Sequence, residues 1–585
     1  MYQYSKDNSF IYSFEGGLRG MLTLFLLFFS MALFSQDKDD LGTEVVTIVK
    51  PYTPTISDAF KVKETPVIND SDTLQKKEVR YEIFSVPVAS TFTPAKGKAA
   101  TVDKAKPIKL YNNYATLGFG NYTSVLGELF SSFEISRTDN AGIFFRHNSS
   151  QGDIDGVRLD NKYYDTELSG NYTSRQKDLS YRLEVGVAHQ LFNWYGLNEF
   201  FENTPNQTLN EIDPQQSYLG LNLGGTLSFE ESIFEEASAK IYYTSDAFSS
   251  SEMHLNLQPK WMLPVSDFNF QILAEVDFLT GTFDRNYFTE DEIAYSFLNA
   301  GVTPSLVYVN DDLTLSLGAA ALVSLDNENS KTDFFIYPQI NASYRLVDEV
   351  LIVYGGAEGG LQQNSYRNFK DENPFVSPTL AILPTSQLYN AFVGMKGKLS
   401  NQVGYNLLGS YGREENKALF QLNPFKGMSV DFEGYEYGNS FGLIYDDINT
   451  LHLFGELKVA VSDLFTLGAN ANFFSYSLDN QSEAWNLPEI TASVFSNFEI
   501  TKKIYGGVSL FFVGERKDVF TSNTVQEVIL DSYFDANVNL GYRVNERLSI
   551  FGKGSNLLGN NYEKWQNFPV QGIQALLGAT YKFDW

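Results

Sequence analysis

The side chains that most often act as nucleophiles, general bases and metal ligands are scarce in this sequence. It has no cysteine and only four histidines, at His147, His189, His254 and His452. No Ser/His/Asp arrangement and no His-Glu-x-x-His motif surrounds them. Without cysteine there is no disulfide framework, thiolate metal site, iron–sulfur cluster or cysteine nucleophile. The sequence therefore predicts a protein that is not an enzyme, with no catalytic residues, no metal ligands and no cofactor.

One short segment imitates part of a calcium-binding loop. Asp153, Asp155 and Gly156 have the residue types of such a loop. However, the first ligand position is Gln151, and the twelfth is Lys162, where a calcium loop needs a bidentate glutamate. We therefore expect an acidic surface loop here.

The overall charge and composition exclude further classes. The chain has 71 acidic and 43 basic residues, for a net charge of −28. A protein that binds nucleic acid must neutralise phosphate with a basic surface, so this role is not expected. Aromatic residues make up 15% and charged residues only 19%, below the roughly 25% charged residues of ordinary soluble domains. This composition is not typical of a cytosolic protein.

The N-terminus has the features of a signal peptide. Residues 21–34 are apolar and uncharged, and Arg19 precedes them. A transmembrane helix needs about 20 apolar residues, so this run is too short for a confident anchor. Ala32 and Ser35 occupy the −4 and −1 positions of a cut before Gln36, close to the pattern of small residues that signal peptidase prefers. We expect a cleaved signal peptide over residues 1–35, with an uncleaved anchor as the alternative.

The next segment differs from the rest of the chain. Residues 36–110 hold six of the eighteen prolines, which disfavours helix. They carry 12 basic against 11 acidic residues, whereas residues 111–585 carry 29 against 58, or −29. We expect an extended, proline-rich segment that lies in the periplasm or in a lumen.

From residue 111 onward, apolar residues recur at every second position. Leu219, Leu221, Leu223 and Leu227, for example, alternate with small or polar residues. Period two over ten or more residues indicates a long strand with two unlike faces. Strands of soluble sandwiches usually have about 5 to 6 residues, whereas strands that cross the outer membrane need about 9 to 11. No second long apolar run follows the signal peptide, so residues 111–585 are predicted to form an all-β, transmembrane antiparallel β-barrel.

The connections between these strands alternate in length. Tight polar turns are predicted at 137–140, 175–178, 310–311, 348–349, 400–402, 462–463, 501–503 and 545–546. Longer acidic and aromatic loops are predicted at 193–215, 282–292, 364–386, 414–448, 478–487 and 516–528. Membrane barrels have short periplasmic turns and long outer loops. The count is 22 strands if 414–448 is one outer loop, 24 if it contains two more wall strands, and 16 if several hairpins stand outside the membrane.

The last eighty residues resemble the closing strands of TonB-dependent receptors. The resemblance rests on an Asn-Leu-Leu turn near Tyr562, a following loop with proline and glycine, and a last strand that ends in an aromatic residue. The stretches concerned are 505–518, 530–538, 554–562, 568–572 and 577–583. The resemblance implies a receptor-like barrel in the cell outer membrane. It also implies a C-terminal signal, formed by Tyr581, Phe583 and Trp585, for the barrel-assembly machinery.

The N-terminal segment is also similar to parts of that family. Residues 43–49 resemble a TonB box or plug start, so that Val45, Val46, Thr47, Ile48 and Val49 form a candidate strand for binding TonB or another partner. Residues 50–61 resemble tracts of plugless receptor-like barrels from Bacteroidota-type bacteria. The family's plug has well over a hundred residues, whereas only 75 separate Gln36 from Leu110. The chain therefore departs from the family by lacking a full plug.

Two functions remain open at this point. The first is solute uptake or transport across the outer membrane, with the N-terminal segment restricting the lumen. The alternative is a barrel that does not transport and that serves as a subunit of an outer-membrane assembly or export machine. In that case the N-terminal segment would bind a partner by strand addition. The expected partners are outer-membrane lipid, the barrel-assembly machinery and either TonB or a protein of such a complex, with no nucleic acid.

Overall fold

The computed structural model describes residues 111–429, 431–522 and 524–585. These residues form long β-strands, two short α-helices and one 3-10 turn. The strands are β1 (Asn113–Gly120), β2 (Val125–Glu134), β3 (Asp139–Ser150), β4 (Tyr163–Arg175), β5 (Leu179–Asn193), β6 (Gln215–Phe229), β7 (Phe234–Asp246), β8 (Ser251–Val265), β9 (Phe268–Phe283), β10 (Ile293–Val309), β11 (Leu313–Asp326), β12 (Lys331–Val347), β13 (Leu351–Gln362), β14 (Thr385–Ser400), β15 (Val403–Leu422), β16 (Phe441–Ser462), β17 (Phe465–Leu478), β18 (Ile490–Glu499), β19 (Ile504–Val513), β20 (Arg516–Thr521), β21 (Val525–Leu530), β22 (Tyr533–Arg543), β23 (Leu548–Ser555), β24 (Glu563–Trp565), β25 (Phe568–Pro569) and β26 (Gln574–Phe583). The helices are α1 (Asn206–Leu209) and α2 (Tyr366–Glu372), and the 3-10 turn is Glu199–Phe201.

Twenty-two of these strands form one closed antiparallel sheet. Each wall strand pairs with the next along the chain, and β1 pairs with β26 to close the ring. The hydroxyls of Thr116 and Thr580 meet at 2.9 Å across this closing pair. The predicted antiparallel barrel of 22 strands is confirmed, and the alternatives of 24 and 16 strands are wrong.

The two ends of the barrel differ as predicted. All eight predicted tight turns lie at one end, where the first wall strand begins and the last one ends. The long loops lie at the other end, and two of them carry the small hairpins β20–β21 and β24–β25. Short turns face the periplasm in such barrels, so the long loops are extracellular. Within residues 111–429, 431–522 and 524–585, no helix has the length and apolar character needed to cross a membrane.

The outer face of the wall is apolar and the inner face is polar. Leu183, Val185 and Leu223 point outward and are more than half exposed, as are many residues at equivalent positions. Their neighbours along the strands, such as Glu184 and Asn222, point into the lumen because successive side chains of a strand alternate. An apolar outer band around a polar interior is the architecture of outer-membrane barrels, which agrees with the predicted location in the outer membrane.

One predicted loop has different bounds in the structure. We expected residues 414–448 to form a single outer loop, but β15 and β16 continue through much of it, and Leu422 pairs with Phe441. These extensions belong to existing wall strands rather than to two additional ones. A strand can continue beyond the membrane as long as its neighbour provides backbone partners, and the alternation of residue types does not mark where the membrane ends.

Several predictions lie outside the described residues. They are the signal peptide at 1–35, the proline-rich segment at 36–110 and the candidate partner strand Val45–Val49 within it. These stay predictions.

Candidate functional site: the closed extracellular mouth

Six extracellular loops pack together over the end of the barrel, and we call them the roof. They are residues 194–214, 284–292, 363–384, 423–440, 514–532 and 556–573. Side chains of the loops 194–214, 363–384, 514–532 and 556–573 share a hydrophobic cluster with the upper wall strands, and Tyr287 and Tyr435 of the other two loops pack with Trp194 in a second cluster. The members of the first cluster that are at most 2% exposed are Tyr218, Leu279, Phe283, Tyr366, Val376, Leu380, Leu422, Phe441 and Phe568. Burying each such side chain contributes about 1.5–3 kcal/mol, so the roof is a packed structure rather than a set of free loops.

Residues 363–384, which we call the crossing loop, run from β13 and β14 toward the wall formed by β5 to β9. Its helix α2 is capped at the first turn by Ser365, whose side chain accepts from the backbone N–H of Asn368. A carboxylate from the distant strand β8 adds to this cap. Glu252 accepts from the backbone N–H of Tyr366 at 2.6 Å and from that of Arg367 at 3.1 Å. The first N–H groups of a helix have no partner within the helix, and they bind anionic groups well.

Glu252 is itself held in place by the wall. It is only 2% exposed, and the hydroxyl of Tyr295 on β10 donates to it at 2.9 Å. A buried carboxylate is costly unless its oxygens are hydrogen-bonded, and here three donors satisfy it. Glu252 therefore anchors the crossing loop to the wall five strands away from β13, about a quarter of the way around the barrel.

Three further contacts join the crossing loop to β5 and β7. The Tyr366 hydroxyl donates to Asp246 at 2.7 Å, and the Lys370 ammonium donates to Gln190 at 2.7 Å. Arg367 lies over the ring of Tyr242 with 4.1 Å between the guanidinium carbon and the ring centroid. Because Tyr242 points into the lumen, Arg367 lies at the extracellular end of the lumen.

Other loops hold the far side of the crossing loop. The indole N–H of Trp194 donates to the carbonyl of Phe375 at 3.1 Å, and the rings of Phe375 and Phe568 stack at 3.9 Å between centroids. The backbone N–H of Ser377 donates to the carbonyl of Phe441 at 2.9 Å. Loops from widely separated parts of the wall thus meet on one segment, and the crossing loop lies across the extracellular mouth.

A buried carboxylate joins two other roof loops. Glu436 is 3% exposed and forms ion pairs with Arg285 at 2.9 Å and with Lys426 at 2.5 Å. Arg285 also donates to the hydroxyl of Tyr435 at 3.0 Å. Breaking a buried ion pair by removing one partner is strongly destabilising, so these charges fix loops 284–292 and 423–440 to each other.

The hairpin β20–β21 carries the third polar junction of the roof. Asp518 is fully buried and accepts from the backbone N–H of Leu422 at 3.2 Å and from the side-chain amide of Asn486 at 2.9 Å. Burial raises the pKa of the Asp518 carboxyl to about 6. Arg516 in the same strand donates to the carbonyl of Glu563 at 2.7 Å, and burial lowers the pKa of its guanidinium.

Below the roof, the lumen is lined by more acidic than basic side chains. His254 lies there, 2.9 Å from Asp277 on the next strand. Asn256 donates to Asp277, and Gln258 donates to Glu275. In the part of the chain that the structure describes, no histidine has both a hydroxyl and a carboxylate partner. The same residues contain no group of three or more His, Asp or Glu side chains that could hold a metal ion.

Solved structures with a similar fold include outer-membrane receptors and transporters. The FrpB iron transporter from Neisseria meningitidis matches with 9% identity and a TM-score of 0.63, over 81% of this chain and 82% of that one. The ferric-catecholate import receptor Fiu from E. coli K12 matches with 12% identity and a TM-score of 0.59, over 81% and 82%. The siderophore receptor PirA from Acinetobacter baumannii matches with 12% identity and a TM-score of 0.60, over 82% and 81%.

This chain has the fold of those receptors. The resemblance seen in its closing strands is therefore confirmed at the level of the fold. No family model and no curated protein matches the sequence.

The predicted C-terminal residues lie on the outer face at the periplasmic end. Tyr581 and Trp585 are 45% and 80% exposed, while the ring of Phe583 lies between theirs, at 6.2 Å and 5.3 Å between centroids. Lys582 points into the lumen opposite Tyr114. The outward register of these three residues is the one that the sequence predicted, and their role as an assembly signal stays a prediction.

The residues that hold the roof were missed by sequence reasoning. Glu252 and Asp246 sit in alternating strands and look like any other pore-lining acid. Asp518 lies within the stretch that carried the family resemblance, but nothing around it marks it as buried. Only the aromatic richness of the long loops gave a signal, because free loops rarely carry so many large apolar side chains.

Proposed function

We propose that this protein is a gated uptake barrel of the outer membrane, in which the N-terminal segment 36–110 restricts the lumen and the roof covers the mouth. The observation that carries the proposal is the anchoring of the crossing loop to β8 by Glu252. A barrel of 22 strands is wide enough to leak unless it is blocked. A loop fixed across the mouth is a device for blocking it until a ligand is bound.

The kinds of cargo known for similar folds support uptake rather than catalysis. The names of the three similar structures describe iron transport, ferric-catecholate import and siderophore binding. We propose that this barrel takes up a small solute and that its N-terminal residues Val45–Val49 engage TonB or an equivalent periplasmic partner. We also propose that the barrel-assembly machinery recognises Tyr581, Phe583 and Trp585 when it inserts the barrel.

The test is to delete residues 37–110 while keeping the signal peptide. If the segment restricts the lumen, the truncated barrel inserts into the outer membrane and conducts ions in planar bilayers whenever the roof opens. Cells should also become sensitive to large antibiotics. The full-length chain, purified in the same way, is the control.

The opposite result would favour the alternative function, in which the barrel does not transport and is a subunit of an outer-membrane assembly or export machine. In that case the truncated barrel would conduct no more than the full-length chain, and a periplasmic or membrane protein would be lost from pull-downs. Unchanged conductance and unchanged partners together would contradict both roles of the segment.

A further inference from the structure

A lysine of the roof lies among aromatic rings. The Lys426 ammonium is 4.3 Å from the centroid of the Tyr287 ring and 6.0 Å from the centroids of Phe288 and Phe432. It also pairs with the Glu436 carboxylate at 2.5 Å. Aromatic faces within about 6 Å attract a cation, and sets of such rings recognise ligands that carry an ammonium group. We call Tyr287, Phe288, Phe432 and Glu436 the cage.

The carboxylate of the cage is held in place without Lys426. Its Oε2 atom accepts from the backbone N–H of Glu433 at 2.9 Å and pairs with Arg285 at 2.9 Å. Lys426 takes only the other oxygen, Oε1. Glu436 therefore keeps two partners when Lys426 moves away, and its Oε1 atom becomes free to bind another ammonium group.

The rings of the cage also have supports of their own. The Tyr287 hydroxyl donates to the carbonyl of Pro424 at 2.9 Å, and the Phe432 ring packs edge-on against Tyr437 at 6.0 Å between centroids. The Phe288 ring packs edge-on against Tyr287 at 5.2 Å. Phe288 is nevertheless 68% exposed, so the cage is open to solvent on this side.

The lysine inside the cage can be replaced. Its side chain is 18% exposed, and its ammonium is carried on a flexible stem of four carbons. In the part of the chain that the structure describes, this ammonium makes one hydrogen bond, to Glu436. Rotation about the bonds of the side chain is enough to move the ammonium into solvent, and the backbone does not have to move.

The charge around the cage favours a cation over an anion. The two loops that form it, 284–292 and 423–440, contain seven acidic residues and only two basic ones, Arg285 and Lys426. When Lys426 leaves the cage, a single arginine remains near an excess of carboxylates. Opposite charges attract and like charges repel most strongly where water is partly excluded, so the vacated cage binds a positively charged group.

We propose that the cage is a binding site for an organic ligand with an ammonium group, and that Lys426 occupies the site until such a ligand replaces it. The ammonium of the ligand lies over Tyr287 and beside Glu436, and Lys426 turns out into solvent. A tethered group competes at an effective concentration on the order of millimolar, so the ligand must bind better than a lysine side chain does. This inference does not depend on the proposed uptake function.

Acylation of lysines in the full-length protein, followed by mass spectrometry, tests the exchange. The probe is tetramethylammonium chloride, which has no N–H and does not consume the reagent, and sodium chloride at the same concentration shows the effect of salt alone. We expect Lys426 to be acylated at least about threefold faster with tetramethylammonium than with sodium, because the probe takes its place over the rings.

Lys517 is the control lysine in the same experiment. It lies in the roof and pairs with Glu483 and Glu527 at 2.7 and 3.1 Å, but its ammonium lies over no aromatic ring of the described residues. Its acylation should be the same in both salts. An equal increase at Lys426 in both salts would mean that salt only screens the ion pair. That result, or no increase at all, would overturn the inference.

Two substitutions place the binding in the cage. Lys426→Ala vacates the site, so calorimetry should show tetramethylammonium binding at least about tenfold tighter than to the unchanged protein, since the tethered competitor is gone. Lys517→Ala should leave the affinity unchanged. Adding Phe288→Ala to Lys426→Ala removes an exposed ring and should weaken binding again.

Each variant is first checked for folding by its faster gel migration before boiling. If Lys426→Ala binds the probe no more tightly than the unchanged protein, or if the double variant binds it as tightly as Lys426→Ala, the cage is not the binding site.

Discussion

The last residue of the chain is hydrogen-bonded to the second strand of the barrel: the indole N–H of Trp585 donates to the Ser131 hydroxyl at 2.8 Å. That hydroxyl donates to the Asn113 side chain at 2.7 Å, and the Asn113 amide donates to the Phe583 carbonyl at 3.0 Å. The Trp585 ring also stacks on Phe133 at 6.0 Å between centroids. Side chains from β1, β2 and the C-terminus thus reinforce the strand pair that closes the ring.

This relationship predicts the effect of Trp585→Phe. The change keeps an aromatic ring but removes the indole N–H that donates to Ser131, so the free energy of unfolding in urea should fall by about 0.5–1.5 kcal/mol. Trp261→Phe on the outer face of β8 is a matched control, because it also removes an indole but lies away from the closing strands. A larger loss in the control would show that the closing contact is unimportant.

The register of β26 predicts different effects for two neighbouring substitutions at the C-terminus. Phe583→Asp places a charge on the outer face and should impair insertion, at a cost of about 1 kcal/mol near the interface and more if the residue lies deeper. Lys582→Asp points into the lumen and should be tolerated. Insertion is measured by the fraction of protein that migrates faster on a gel before boiling. Equal damage from both changes would mean that the register is wrong.

The roof should open when its anchor is weakened. Glu252→Gln replaces a carboxylate that accepts two backbone N–H groups, and hydrogen bonds to a charged group are worth about 1.5–3 kcal/mol. We expect faster hydrogen exchange in the crossing loop and, in the chain lacking residues 37–110, more frequent conducting events in planar bilayers.

The control for this change is Glu290→Gln. Glu290 lies in another roof loop, but its side chain is 85% exposed in its pair with Arg285, and exposed pairs contribute little. If both variants behave alike, the Glu252 contacts do not hold the crossing loop.

Lowering the pH should stabilise the contacts that the buried Asp518 makes in the roof. Its pKa is raised to about 6 in the folded protein from an ordinary value of 3.8, so the folded state favours the protonated form. The resulting stabilisation is complete below about pH 4 and is lost as the pH rises through about 6. Between pH 7.5 and pH 5, the free energy of local opening should rise by about 1 kcal/mol.

Hydrogen exchange of peptides from residues 514–522, corrected for the intrinsic effect of pH, measures this change. Asp518→Asn cannot titrate and should show a flat response over the same range. A slope that persists in this variant would assign the pH effect to another group, such as Glu563, whose pKa is also raised by burial.

The last prediction concerns the charge of the N-terminal segment and its effect on conductance. Five lysines precede the first wall strand, at Lys96, Lys98, Lys104, Lys106 and Lys109, and carboxylates such as Glu275 and Glu358 line the lumen. Replacing all five lysines by Gln should increase conductance if the segment fills the lumen, because attraction inside is weakly screened. In open periplasm at about 0.15 M salt the attraction fades beyond about 8 Å, and conductance should not change.

The barrel itself was predictable from the sequence. Alternation with period two is a local property of each strand, and turn residues mark the ends of the strand. The number of strands, their directions and the face on which each side chain lies could therefore be read from the sequence. The outward register of Tyr581 and the inward register of Lys582 follow from the same alternation. The bounds of β15 and β16 could not be predicted in this way, because the alternation of apolar and polar residues continues beyond the membrane.

The roof was decided only by the tertiary structure. Glu252 and Tyr366 are 114 positions apart, and they meet because closing the ring brings the ends of distant strands around one mouth. Pro259, Pro304 and Pro338 look alike in the sequence, but the ladder resumes beyond the first two and the β12–β13 ladder does not resume beyond the third. Whether a ladder resumes beyond a proline depends on how closely the next strand can approach, and that distance is set by packing across the wall.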